Sequence, residues 1–246
     1  MGYVRETRTL SEFERGQPMG HWNDLSVDDY RMRCYLALPP AAPVPGVLVC
    51  MHGPGVDEFI QDICERLAAH GVAALAPDLY HRQPEPRVEP WTKIKDTEAL
   101  QDMAEAVKEL KALADVNPAR VGVLGFCMGG RLAFLHAANN PELRAAVMFH
   151  GGNILIARDG LPSPFEQAKK IQAPVLGLFG ADDQNPSPAD VQQIEAELTR
   201  WGKAHEFHRY AGAGHAFLNF TRPAVFRETQ AQAAWTTCLA WLDQHL

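Results

Sequence analysis

From about residue 46 to the C-terminus, short apolar runs alternate with stretches whose apolar residues recur every three to four positions. Residues 46–51 (GVLVCM), 72–76, 120–125 (RVGVLG), 144–149, 174–180 (PVLGLFG) and 204–210 read as strands. A run apolar throughout, without alternation, suits a parallel strand buried on both faces. Between these runs, residues 57–70 place Ile60, Ile63 and Leu67 on one helical face, and Gly71 suits the cap that ends it. Helical spacing returns over 96–114, 128–138 and 188–201. Residues 223–246 close the chain with Ala231, Ala234, Trp235, Cys238 and Leu242 on an inner face. A further strand is expected at 31–38 and a turn at Asn117-Pro118. Alternating strands and helices form βαβ units, so the expectation is a mostly parallel sheet with helices on both faces. The 246 residues suit one such domain, and no repeat or linker divides them.

The formal net charge is -7 and no basic stripe is present, which argues against nucleic acid as a partner. No run of 18 apolar residues exists, so no membrane span is expected. Residues 1–15 are charged and lack the apolar segment of a secretory leader, and Glu6 breaks a myristoylation pattern. Cys34, Cys50, Cys64, Cys127 and Cys238 are an odd number, lie far apart and show no CxxC spacing. That fits free thiols in a reducing cytoplasm, with four of the five serving as small core residues.

Cys127 stands apart. It lies in Gly125-Phe126-Cys127-Met128-Gly129, a G-x-C-x-G between an expected strand and an expected helix. In its serine form this spacing holds a nucleophile on a sharp, strained turn. Side chains at the two glycines would clash across such a turn. The turn also sets the sulfur at a helix N-terminus, where unpaired N–H groups favour negative charge and can hold an oxyanion. The plain alternative is a structural cysteine at a tight junction.

Chain order for this arrangement is nucleophile, acid, base. The acid is expected after a later strand, at Asp182 or Asp183. Asp183 is preferred, the other capping a turn or the helix near Pro188. The base is expected in the Gly-rich loop after the last strand, at His215. The backbone N–H groups of Met128 and Gly53 are the expected oxyanion donors, since Pro54 has none. His150 ends the strand at 144–149 and is a candidate to line the pocket or to sit at the surface. His205 and His208, three apart on a strand, point to opposite faces and make a poor metal pair, so no metal is expected. His21, His70, His136 and His245 read as surface or packing residues.

These segments resemble the dienelactone hydrolase (carboxymethylenebutenolidase) family of the α/β-hydrolase fold, from about residue 30 onward. The carrying residues are Ala76-Pro77-Asp78-Leu79-Tyr80-His81-Arg82-Gln83, Gly125-Phe126-Cys127-Met128-Gly129-Gly130, Gly180-Ala181-Asp182-Asp183 and Ala213-Gly214-His215-Ala216-Phe217. The resemblance implies a triad at Cys127, Asp183 and His215. It implies that Arg82 binds a substrate carboxylate, with Tyr80, His52, His150, Phe217 and Asn219 around the substrate. Two positions depart from the family pattern. His52 stands where a glutamate contacts the resting thiol, and Asn219, with Arg222 nearby, stands where a second arginine binds the carboxylate. The expectation is a cofactor-free hydrolase of activated carboxylic esters or enol lactones, working through a thioester acyl-enzyme, as a monomer or small homo-oligomer. The alternatives are an acyl or thioester transferase on the same scaffold, or a non-catalytic ligand-binding or redox-sensing protein.

Overall fold

The computed structural model describes residues 20–246. The leader and myristoylation readings at residues 1–15 lie outside them. Eight strands form one sheet: β1 (Gly20–Val27), β2 (Tyr30–Ala37), β3 (Val44–Cys50), β4 (Ala73–Pro77), β5 (Val116–Phe126), β6 (Ala146–Phe149), β7 (Val175–Gly180) and β8 (His205–Tyr210). Their spatial order is β1-β2-β4-β3-β5-β6-β7-β8. The pairs β1–β2 and β2–β4 are antiparallel, and every pair from β4 across to β8 is parallel. The helices are α1 (Glu58–His70), α2 (Asp96–Ala112), α3 (Met128–Asn139), α4 (Pro164–Gln167), α5 (Pro188–Arg200) and α6 (Glu228–His245). They cover both faces of the sheet, so the α/β expectation holds.

The helix boundaries follow local chemistry. Asp57 caps α1, its carboxylate accepting from Ile60 N at 3.2 Å, and Gly71 ends it in the left-handed region at φ 97°. Every residue of β4, β6 and β7 is buried, as expected of strands covered on both sides.

The chain runs from β3 through α1 to β4 on one side of β3, then through α2 to β5 on the other. Successive connections therefore diverge beyond the carboxyl ends of β3 and β5. Open α/β sheets bind their ligands at such a point.

Three details differ from the sequence reading. β1 was not expected; its burial alternates with a slip between Asn23 and Asp24, and it is held by its eight-residue register with β2. Asn117-Pro118 does not separate elements but lies inside β5. The β3–β5 ladder shifts register between Val44 and Gly46, and Asn117 Oδ1 accepts from Ala119 N at 3.0 Å, so the turn survives as a bulge. The closing helix begins at Glu228, not at Pro223, because Arg222–Phe226 backbone hydrogen bonds form turns there. Among the described residues no helix is long and apolar enough to cross a membrane.

Candidate active site

Cys127 sits between β5 and α3 with φ 55° and ψ -118°, a conformation that costs a non-glycine residue energy. The flanking glycines make the bend possible. A Cβ at Gly125 would lie 2.0 Å from Gly129 O, and one at Gly129 would lie 2.1 Å from Cys50 O. Cys127 N donates to Phe149 O at 3.0 Å, so this amide is taken. Met128 is the first residue of α3, and an N–H there has no partner within its own helix. Cys127 is half-buried, while Cys34, Cys50, Cys64 and Cys238 are buried. Burial pushes all four of those thiols up, Cys34 to about 12.

The loops after β7 and β8 are zipped together. Ala181 N donates to Tyr210 O and Asp182 N to Ala213 O, both at 2.9 Å, and Gly180 packs so closely on Ala213 that no side chain would fit. This brings His215 Nδ1 to 2.8 Å from Asp183 Oδ2. Asp183 is buried, and its other oxygen accepts from Asn185 N at 2.9 Å. Asp182 is exposed, and Ser187 caps α5 in a box with Asp190, so the capping role considered for Asp182 falls to Ser187. Burial opposes a charge on His215, but the hydrogen bond to Asp183, together with the influence of the nearby Cys127, outweighs it and lifts the imidazole to about 10. The structure thus pairs His215 with Asp183 and sets Cys127 near enough to act on the same imidazole.

His150 is buried, not at the surface, and sits edge-on against His215 with ring centroids 4.8 Å apart. Its φ is 39°, and its Nδ1 is buried without a partner. Burial first, then the nearby His215 and His52, hold it well below the usual imidazole range. Phe217 is buried, its ring centroid 6.2 Å from that of His150. Asn219 is buried and shapes the same loop, its Oδ1 accepting from Thr221 N and Oγ1 while its Nδ2 lacks a partner. His52 is buried and its Nε2 lies 2.8 Å from Asp57 Oδ1.

The Tyr80 hydroxyl donates to Gly53 O at 2.8 Å and lies 3.7 Å from Met128 Sδ. Burial, then the charges of Cys127 and Asp78, push this phenol up, so it stays a neutral donor. Tyr80 thereby ties the loop after β3 to the start of α3. Beside it opens a cavity of about 440 Å³, lined in part by Trp22, Arg33, Gly53, Tyr80, Arg87 and Trp91.

Arg82 is not among the residues lining that cavity. Its guanidinium donates to buried Asp102 at 2.6 Å and pairs with Asp28 at 3.0 Å. The arginine expected to meet substrate is therefore bound by two carboxylates of its own chain. Sequence reasoning missed Trp22, Arg33, Arg87 and Trp91. No local motif marks them, since they meet through β1–β2 pairing and the fold of the loop after β4. Among the described residues, no group of three or more His, Cys, Asp or Glu could hold a metal ion.

Comparison with known proteins agrees with this architecture. The model of the dienelactone hydrolase family matches residues 32–246. A protein named "Putative carboxymethylenebutenolidase" from Methylorubrum extorquens is 34% identical over 232 residues, covering 90% of this chain and 79% of its own length. A crystal structure described as "Putative Dienelactone Hydrolase" from Klebsiella pneumoniae is 33% identical and superposes with a TM-score of 0.84, covering 92% of this chain and 98% of that one. A dienelactone hydrolase-like promiscuous phosphotriesterase from metagenomic libraries shares the fold at 22% identity and a TM-score of 0.80, covering 92% and 98%. With the matched region spanning the sheet, the bend at Cys127 and the loops that hold Asp183 and His215, this chain belongs to the dienelactone hydrolase family and has the α/β-hydrolase fold.

Proposed function

We propose that this protein hydrolyses activated carboxylic esters or lactones, with Cys127 as nucleophile, His215 as base and Asp183 as the group that orients it. The observation that carries this reading is His215 held by Asp183 at 2.8 Å, with the strained Cys127 acting on the same imidazole. Membership of the family supports ester or lactone hydrolysis. A Bradyrhizobium relative, 33% identical over 235 residues, bears the name "Probable 2-oxo-3-(5-oxofuran-2-ylidene)propanoate lactonase".

In this scheme His215 takes the proton of Cys127, or holds it as an imidazolium beside a thiolate, and Asp183 fixes the tautomer. The thiolate attacks the carbonyl carbon, and the carbonyl electrons move to oxygen. The N–H groups of Met128 and Gly53 hold that oxyanion. The oxyanion collapses, the C–O bond to the leaving group breaks, and His215 gives it the proton. A thioester remains. His215 then takes a proton from water, whose oxygen attacks the thioester and releases the acid and the thiolate.

Sulfur narrows the substrate range. A thiolate leaves more readily than an alkoxide, so the first intermediate reverts unless the substrate's own leaving group is good. Enol lactones, enol esters, aryl esters and thioesters meet that condition. Cys127→Ala is expected to abolish hydrolysis of 4-nitrophenyl esters, and iodoacetamide to inactivate the enzyme in step with labelling of Cys127. Undiminished turnover by the variant would end this reading. Product analysis with added thiol or alcohol acceptors separates hydrolysis from acyl transfer.

A further inference from the structure

His150 lies one residue beyond β6, between β5, which leads into Cys127, and β7, which leads to Asp183. Its backbone is fixed from both sides. Phe149 O accepts from Cys127 N at 3.0 Å, and His150 N donates to Leu178 O of β7 at 2.9 Å. A Cβ at Gly130 would lie 2.8 Å from Phe149 O and 2.9 Å from Gly151 Cα, so the start of α3 presses on this stretch. Held in this way, His150 has φ 39°, in the left-handed region that costs a side chain energy.

The residue is 2% exposed, and its ring stands at 71° to that of His215 with 4.8 Å between centroids. The rings of Phe126 and Phe217, each with its centroid 6.2 Å away, wall it with apolar surface. Nδ1 has no hydrogen-bond partner among the described residues. A buried polar atom left unpaired costs stability, and an apolar side chain would fill the same space without that cost. Burial keeps this imidazole neutral, so one ring nitrogen carries a proton and the other a lone pair.

Thioester hydrolysis needs such a nitrogen. Water has to stand beside His215 with one O–H directed at that imidazole and a lone pair at the thioester carbon. A buried water needs two or more polar partners, and His215 supplies one. We propose that His150 Nδ1 holds the hydrolytic water against His215 in the second half of the reaction. This rests on the hydrolase reading and adds to it the group that commits the acyl-enzyme to water. With its proton on Nε2, His150 accepts one O–H of the water through Nδ1. His215 takes the proton of the other O–H as the water oxygen bonds to the thioester carbon. The carbonyl electrons move to oxygen and return as the C–S bond breaks, which leaves the thiolate of Cys127. The hydrogen held by His150 departs with the acid. Attack of the thiolate on the substrate, the first half, makes no use of His150.

The test is stopped-flow cleavage of 4-nitrophenyl acetate, with and without 2-mercaptoethanol as a competing acceptor. His150→Phe keeps a ring and loses the acceptor nitrogen. Its first burst of nitrophenolate is expected at a rate within about threefold of wild type, followed by turnover about ten- to a hundredfold slower. A thiol acceptor needs only His215, so the ratio of transferred to hydrolysed product should rise by about tenfold. That ratio belongs to the acyl-enzyme and does not depend on how much protein is folded. His150→Asn tolerates the left-handed backbone and carries an acceptor oxygen near the place of Nδ1, so it should recover part of both losses. Burst and turnover slowed together, with an unchanged product ratio, overturn the proposal and leave His150 a packing residue. If the phenylalanine variant does not fold, His150→Leu, which also lacks an acceptor, is read by the same ratio. Absence of nitrophenolate release by wild type fails the hydrolase reading and this one with it. Normal wild-type turnover with an unchanged ratio in His150→Phe fails this one alone.

Discussion

Asp183 accepts two hydrogen bonds with different consequences. One oxygen takes Asn185 N and pins the carboxylate in its turn, and the other takes His215 Nδ1 and sets the proton on that ring. Because Asp183 and Cys127 outweigh burial in raising His215 to about 10, the folded protein holds this proton more tightly than the unfolded chain does. A raised folded pKa gives stabilisation that is complete below about 6.5 and is lost as pH climbs towards about 10. Asp183→Asn removes the charged hydrogen-bond partner that lifts the ring. The urea midpoint is expected to fall less steeply between about pH 7 and about pH 8.5 in the variant than in wild type. Ester hydrolysis should drop by roughly two to four orders of magnitude. Equal slopes would show that Asp183 does not hold the proton. The sequence alone offered both Asp183 and its neighbour Asp182, with Asp183 preferred, since both follow the same strand. Burial of one and exposure of the other distinguish them, and burial is a property of the packed loops.

Among the elements, the β5–α3 junction is the most constrained. Gly129→Ala would set a Cβ 2.1 Å from Cys50 O and 2.5 Å from Met51 O, both backbone atoms of the β3 end. Neither can give way without parting α3 from β3. The substitution is expected to cost about 3 kcal/mol or more in urea denaturation and to reduce hydrolysis even where the protein folds. An unaltered midpoint would show that α3 can slide. This junction was legible because glycine spacing and apolar periodicity are local signals. β1 was not, because a strand at a sheet edge is held by its partner's register, and its own alternation slips between Asn23 and Asp24.

The molecule as a whole is tied together at Arg131. From α3 it reaches Asp96 at the start of α2, with one contact at 2.8 Å, and donates to Asn153 O at 3.0 Å and Ile156 O at 2.9 Å in the loop after β6. Both side chains of the pair are essentially unexposed. Three segments distant in sequence thus share one guanidinium. Removing one partner strands the other's charge in a dry site, so Asp96→Ala is expected to cost about 3–5 kcal/mol. Asp96→Ala paired with Arg131→Met should cost less than Asp96→Ala alone. A double variant less stable than Asp96→Ala would show that Arg131 contributes mainly through its backbone contacts, not through the pair.

The sequence by itself determined the alternation of strands and helices, the bend at Cys127 and the chain order of the proposed nucleophile, acid and base. Each depends on neighbours within a few positions, through backbone geometry and apolar periodicity. Only the tertiary structure decided which charges are paired. Arg82 looks available in its motif, yet Asp102 on α2 and Asp28 in the β1–β2 turn bind it; Arg33 carries no motif, yet stacks on Trp22 at the edge of a cavity. An ion pair forms between residues far apart in the chain, so pairing is set by the folded arrangement of elements and leaves no periodic trace in the sequence.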